Sequence, residues 1–285
     1  MRARTFAISL IAVPTTAFAG GSMSVTWIED STGTELVLDN YDLAFTEDFN
    51  RQWSFRGPKL FAPVHTPYGA GIFDAPGEQA YKIQNGYLTL TAYQLDGKWR
   101  SGSVQTADAA QSAGTASFSP DWGFACNGCY FESRIKFRGV TTYGYWGAFW
   151  LLSPDKPDTG HVEVDAIEWY GGDPKGHHHS VHIWPKAPAS HTFKSNYVGM
   201  DGVITDGNWH SYGAQVISGF AYIYVDRKEV ARIALPEDFN VPLYPLVTLA
   251  ILPSEVAQAV SPMRMYVDYI RAYKPRGGGA IIAGD

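Results

Sequence analysis

Cysteine is nearly missing from this chain of 285 residues: Cys126 and Cys129 are the only two. A miniature fold stapled by several disulfides is therefore excluded, and zinc held here would require two further ligands. Long apolar runs are missing as well. The stretch Phe6–Val13 is too short to cross a bilayer, and no other comes closer, so no membrane-spanning helix is expected. Extended 3.6-residue periodicity is almost absent, which argues against a helical bundle or an alternating α/β fold. Basic residues are outnumbered, 22 Lys and Arg against 28 Asp and Glu, for a net charge of −6. That balance disfavours nucleic acid or an anionic membrane surface as a partner. There is no internal repeat and no block of like charge.

What the chain does have is glycine (29), proline (17) and aromatic residues (14%). They punctuate many short runs that alternate apolar with polar, the pattern of a single antiparallel all-β sandwich or barrel. Residues 1–19 read as a secretory leader. Arg2 and Arg4 supply the positive start, Phe6–Val13 the apolar stretch, and Ala17-Phe-Ala19 a small-x-small cleavage site. The expected location is secreted or periplasmic, with a retained N-terminal anchor as the alternative. Residues 20–274 then form one domain, with possible early strands at Met23–Ile28 and Glu35–Leu38, and 275–285 a flexible Gly-rich tail. Residues 54–80 and 185–208 read as long loops, the first able to shape a cleft.

The most informative stretch is His161–Tyr170, HVEVDAIEWY, with carboxylates at Glu163, Asp165 and Glu168. Period-2 alternation turns Val162, Val164 and Ala166 toward a core and Glu163 and Asp165 away from it. Strict alternation would bury Glu168, at a large desolvation cost. One extra residue near Ala166–Ile167, a β-bulge, returns Glu168 to the face of Glu163. The two glutamates are then about 13 Å apart at Cα, at roughly 3.3 Å per residue, and side chains leaning inward can flank one sugar carbon. Mutual repulsion raises at least one pKa, as a general acid at neutral pH requires. A solvated acidic face or a calcium site is the competing reading.

Nearby segments sort by the same rule. In Tyr145–Leu152, alternation puts Trp146 and Trp150 on one face and Phe149 and Leu151 on the other, so the indoles either line a sugar-binding groove or fill the core. In Gly176–Trp184, His178, Ser180, His182 and Trp184 share a face, and His182 is placed to bond a sugar or a carboxylate. The run His177-His-His179 reads as an exposed loop rather than a metal site, because three adjacent side chains cannot converge from one strand face. Cys126-Asn-Gly-Cys129 suits a short local disulfide, with free thiols and redox chemistry as alternatives.

These pieces, in order over about residues 41–274, resemble glycoside hydrolase family 16. Glu163-x-Asp165-x-x-Glu168 is similar to its catalytic strand, and Tyr145-Trp-Gly-Ala-Phe-Trp-Leu-Leu152 to its W-P-A-F-W-L-L strand, with Gly147 for Pro. Leu43–Asn50 with Trp53 resembles its opening strand, and Met265–Tyr273 its closing one. The resemblance implies a jelly-roll sandwich with a concave substrate groove, and a secreted monomer that cleaves a β-linked polysaccharide, a glucan or related galactan. Glu163 would be the nucleophile, Glu168 the acid/base and Asp165 the support of Glu163. Trp146, Trp150, His182, Trp184 and Arg100 would bind substrate. No cofactor is implied for catalysis. A structural calcium ion is possible near Asp268, although no cluster of oxygen ligands is legible there. Two departures stand out. Tyr224-Val-Asp-Arg227 stands where the family turn ends in Gly, and Thr248-Leu-Ala-Ile-Leu-Pro253 stands where relatives carry Asn and Gly-Gly. Transglycosylation, or sugar binding without catalysis, are the alternative activities.

Overall fold

Alternating apolar residues between tight turns leave a chain one way to bury its apolar side, which is to lay sheet on sheet. The computed structural model describes residues 33–52, 55, 59–63, 65–107, 123–137, 141–154, 160–185, 190–199, 207–235, 239–278 and 281–282. The stretch read as a leader at 1–19, the strand expected at Met23–Ile28, and Trp53 lie outside these residues. One layer orders its strands Thr192–Gly199, Gly176–Trp184, His161–Tyr170, Tyr145–Leu152, Tyr244–Ile251 and Lys98–Gln105. The other runs Tyr87–Leu95, Met263–Pro275, Tyr130–Lys136, His210–Ile217, Phe220–Val225 and Lys228–Ala234. Neighbours within each layer are antiparallel. A hairpin at Asp96-Gly97, both at positive φ, joins Tyr87–Leu95 to Lys98–Gln105, so a single sheet curls over itself into a jelly-roll sandwich.

The inner faces meet in one continuous core. Phe149, Leu151, Val164 and Trp169 of the first layer share it with Leu90, Phe131, Ile135 and Met265 of the second. Each such side chain, fully buried, contributes about 1.5–3 kcal/mol. Tyr41–Glu47 is held at the far edge by the second half of Met263–Pro275. Glu35 makes a single bridge to Lys228 in place of the expected strand, and Leu38–Asn40 is a short 3-10 turn. The cysteines are joined, Cys126 to Cys129 with Cα atoms 5.7 Å apart, across Asn127-Gly128.

Two expectations are corrected. Thr192–Gly199, within the stretch read as loop, is a strand paired along its length with Gly176–Trp184. It is an edge strand, TFKSNYVG, in which Lys194, Ser195 and Asn196 break the apolar rhythm between Phe193 and Tyr197, and its pairing is with the backbone of its neighbour. The Gly-rich tail is partly pinned: Ile281 and Ile282 pair with Cys126 and Ala125.

The departure at Arg227 also has a structural reason. Asp226 and Arg227 both take positive φ, 49° and 61°, in the turn between Phe220–Val225 and Lys228–Ala234, a conformation that favours glycine. From there the Arg227 guanidinium donates to both oxygens of Glu132, at 2.8 and 3.0 Å. Glu132 is fully buried and also accepts from Tyr130 (2.9 Å) and Tyr269 (2.8 Å). Replacing Arg227→Gly relaxes the turn but strips a buried carboxylate of its counter-charge, so we expect a net loss of about 3 kcal/mol. Urea unfolding checks it. A variant as stable as the parent would mean that Glu132 does not need the charge.

Candidate active site

The strand His161–Tyr170 lies between two neighbours, and its register fixes the site. On one side Glu163 opposes His182, Asp165 opposes Ser180 and Glu168 opposes His178. Three steps from Asp165 to Glu168 thus match two steps from Ser180 to His178. On the other side the slip falls between Asp165 and Ile167, with Glu168 opposite Ala148 and Asp165 opposite Trp150. The bulge stands where the alternation rule required it. Ala166 and Ile167 are both buried in the core, together with Val162, Val164 and Trp169. Glu163, Asp165 and Glu168 consequently share the opposite face.

Each acid is held by donors from its own strand or from those flanking it. Glu163 accepts from the Trp184 indole N–H at 2.8 Å. Glu168 accepts from the Trp146 indole (3.0 Å) and the Tyr170 hydroxyl (2.9 Å) on one oxygen, and from Ser180 (3.2 Å) on the other. His182 Nε2 lies 3.0 Å from Asp165 Oδ2 and 3.9 Å from Glu163 Oε1. Its Nδ1 lies 3.0 Å from His191 Nε2. Trp184 stacks on His191 with ring centroids 3.6 Å apart and planes within 5°. Trp150 shares this face and donates to Thr248 at 3.0 Å, and Thr248 is bonded in turn to Ser103. Thr248, a departure from the family pattern, is therefore a buried anchor for an indole.

Burial sets the electrostatics. It raises the Glu163 and Glu168 carboxyls, and the Asp165 charge raises both further, to about 8 and about 7. Two interacting acids titrate as a set, so this group retains a proton into the neutral range. Burial alone would lower His182, but the Asp165 hydrogen bond and the surrounding carboxylates push it up to about 9. Cationic His182 donates to Asp165 through Nε2 and to His191 through Nδ1. Burial and the His182 charge keep His191 low, so it remains neutral and accepts.

Trp146, Trp150, His182 and Trp184 thus surround the three acids. Arg100 does not join them. It is ion-paired with buried Asp74, Nε to Oδ1 3.5 Å. His177 and His179 are not in an exposed loop. Both are buried on the core side of Gly176–Trp184, and His178 is half-buried against the Tyr170 ring. Burial lowers all three, His179 to about 3. Asp268 is engaged by Arg134 at 2.7 Å, which meets its charge without an ion. Among the described residues the only converging set of metal-ligating side chains is Glu163, Asp165 and His182, within the acid face itself.

Several neighbours were not singled out from sequence. Tyr68, inside the 54–80 stretch, tilts against Trp146 at 5.3 Å, and its hydroxyl is raised by burial and by the charges of Glu163, Glu168 and Asp165. Nothing local in its sequence marks it. His191 is likewise brought in by the edge-strand pairing. Tyr170 could have been found, since it lies two residues beyond Glu168 on the same face.

A sandwich whose one layer presents paired glutamates amid indoles and hydroxyls is the architecture of a glycoside hydrolase. Comparison with known proteins narrows this class: the sequence pattern of glycosyl hydrolases family 16 matches residues 77–270, and the chain belongs to that family. It is 29% identical over 199 residues to the endo-1,3-1,4-beta-glycanase EglC of Rhizobium meliloti (strain 1021). That match covers 68% of this chain and 39% of the relative, so the chain spans well under half of that protein. Among solved structures, SCLam, a non-specific endo-beta-1,3(4)-glucanase of family GH16, is similar with a TM-score of 0.63 at 20% identity, covering 86% of this chain and 95% of that one. A family 16 endo-glucanase from Bacteroides ovatus gives 0.63 at 20%, covering 80% and 99%.

The pH dependence of stability follows from these shifts. The raised glutamates favour the fold below their unfolded value of 4.5, and that contribution is lost as pH rises through about 7 and 8. The depressed histidines act oppositely: their contribution is full above 6.5 and is lost as pH falls toward 3. Glu168→Gln cannot lose a proton. Its melting temperature is expected to fall less than that of the parent between pH 5 and pH 9, in thermal scans across that range. An equal fall in both proteins would place the alkaline loss elsewhere.

Proposed function

We propose that this chain is an exported, retaining endo-glycosidase that hydrolyses a β-linked polysaccharide, a β-glucan or related galactan. The observation that carries the reading is the bulge at Ala166–Ile167, which lines Glu163 and Glu168 on one face with Asp165 and His182 between them. Glu163 attacks the anomeric carbon while Glu168 gives its proton to the departing glycosidic oxygen, forming a glycosyl ester on Glu163. Glu168, now a base, takes a proton from water, whose oxygen attacks the same carbon and releases Glu163. Burial and Asp165 leave Glu163 raised to about 8, above Glu168 at about 7, so in the free enzyme the proton favours Glu163. The mechanism needs it on Glu168, and the His182 cation and the Trp184 N–H are the influences that draw it off Glu163. Trp146 and Trp150 offer aromatic surface to the C–H faces of pyranose rings.

The glucan reading draws on the relatives, among them endo-glucanases, and the exported reading on the leader pattern at residues 1–19. Digestion of a panel of β-glucans and galactans, with mass analysis of fragments, tests both polymer choice and endo cleavage. Products should appear first as the β-anomer by NMR. Glu163→Gln should lose at least about 10³-fold in kcat, and Glu168→Gln about 10²–10⁴-fold, more for poor leaving groups. Full activity in Glu163→Gln refutes the nucleophile assignment. Longer oligosaccharides among the products would indicate transfer to sugar acceptors. Binding without turnover on every polymer would indicate a lectin.

A further inference from the structure

The second layer has an outward face on the side of the molecule away from the acids. There Tyr87, Lys136, Phe137, Trp209 and Tyr266 line a cavity of about 360 Å³. Register explains why they meet. Tyr266 opposes Thr89 on one neighbouring strand and Lys136 on the other. Tyr266 alternates with core residues Met265 and Val267, and Lys136 with Ile135 and Phe137, so Tyr266 and Lys136 project outward. Tyr87 stands edge-on to Trp209, at 5.8 Å, and to Tyr266, at 5.7 Å.

Cationic groups border the rings. The Lys136 ammonium lies 5.8 Å from the Tyr266 centroid, and the Arg134 guanidinium 5.6 Å from that of Trp209. Arg134 is committed to Asp268. Among the described residues the Lys136 ammonium packs on the Tyr266 ring. All three rings are half-buried, so they are not sealed into the core. The cavity falls within the roughly 300–1,000 Å³ range of small-ligand sites, with aromatic walls and few polar groups.

We propose that this pocket is a second glycan-binding site, taking sugar rings of the same β-linked polysaccharide at a distance from the groove. The choice of ligand rests on the function proposed above. Pyranose C–H bonds are slightly positive and meet the negative faces of Trp209 and Tyr266. Hydroxyl oxygens along the ring edge accept from Lys136. A chain of net charge −6 with two cations here, one of them paired with Asp268, lacks the basic stripe that a nucleic acid would need. Held at this site, a polymer raises the local concentration of its own segments for the groove, a benefit that a short oligosaccharide does not share.

The test uses Trp209→Ala and Lys136→Ala, separately, in the full chain. The substrates are the polymer that the parent digests and a short oligosaccharide of the same linkage. Affinity is read from electrophoretic retardation by soluble mixed-linkage β-glucan and by the digested polymer, in a Glu163→Gln background. Each variant should weaken polymer affinity, Trp209→Ala by about fivefold or more, and raise KM for polymer. Both should leave kcat and KM on the oligosaccharide unchanged, which also shows that the groove is intact. Lys136→Ala removes only an outward side chain, so it decides the matter if Trp209→Ala folds poorly. Unchanged polymer affinity in a parent that digests polymer overturns this inference alone. A parent that neither digests nor is retarded by any polymer overturns both this inference and the proposed function.

Discussion

Two consecutive side chains facing inward, Ala166 and Ile167, are the constraint on which the site depends. A strand obeying strict alternation can carry an acid at every second residue, but it cannot put Glu168 beside Glu163. The core accepts both apolar residues, and the backbone yields by one position against each neighbour. The bulge is therefore set by apolar packing, and the acids are its passengers. Small, flat Ala166 next to branched Ile167 lets two residues occupy a space meant for one.

Once aligned, the acids need a surrounding that keeps them useful. Burial drives both glutamates toward the neutral form, and the opposing influence comes from fixed donors: indoles of Trp184 and Trp146, hydroxyls of Tyr170 and Ser180, and the His182 cation. These groups come from the acid strand and from the strands on either side of it. The electrostatics and the sheet pairing are thus one arrangement. His191, stacked on Trp184 and bonded to His182, extends it to the sheet edge.

Much of this was legible in the sequence because strands write their faces in alternating letters. The bulge, the acid face, the outward indoles of Trp146 and Trp150, and the inward Phe149 and Leu151 all follow from period-2 sorting with one desolvation argument. Where the reading fell short, the cause lay beyond a single strand. Thr192–Gly199 has no apolar rhythm and is a strand only because a neighbour offers it hydrogen bonds. Tyr68 reaches the acids across a loop, and no local pattern encodes that reach. Arg100 followed the family pattern in expectation, yet its charge is met by Asp74, a partner distant in sequence that no local pattern announces. His177 and His179 looked like loop residues by polarity, although parity with Val181 already marked them as inward.

The strand Met263–Pro275 takes part in three pairings. Its first half joins Tyr87–Leu95, its second half joins Tyr41–Glu47, and Tyr130–Lys136 runs along the other side. The middle of the second layer is therefore supplied by a segment that follows every groove strand in the sequence. A chain that stops short of it has the groove strands in hand but an opposing wall split between Tyr87–Leu95 and Tyr130–Lys136. The sandwich cannot be completed until Met263–Pro275 is available, so it has no earlier half that can be finished first.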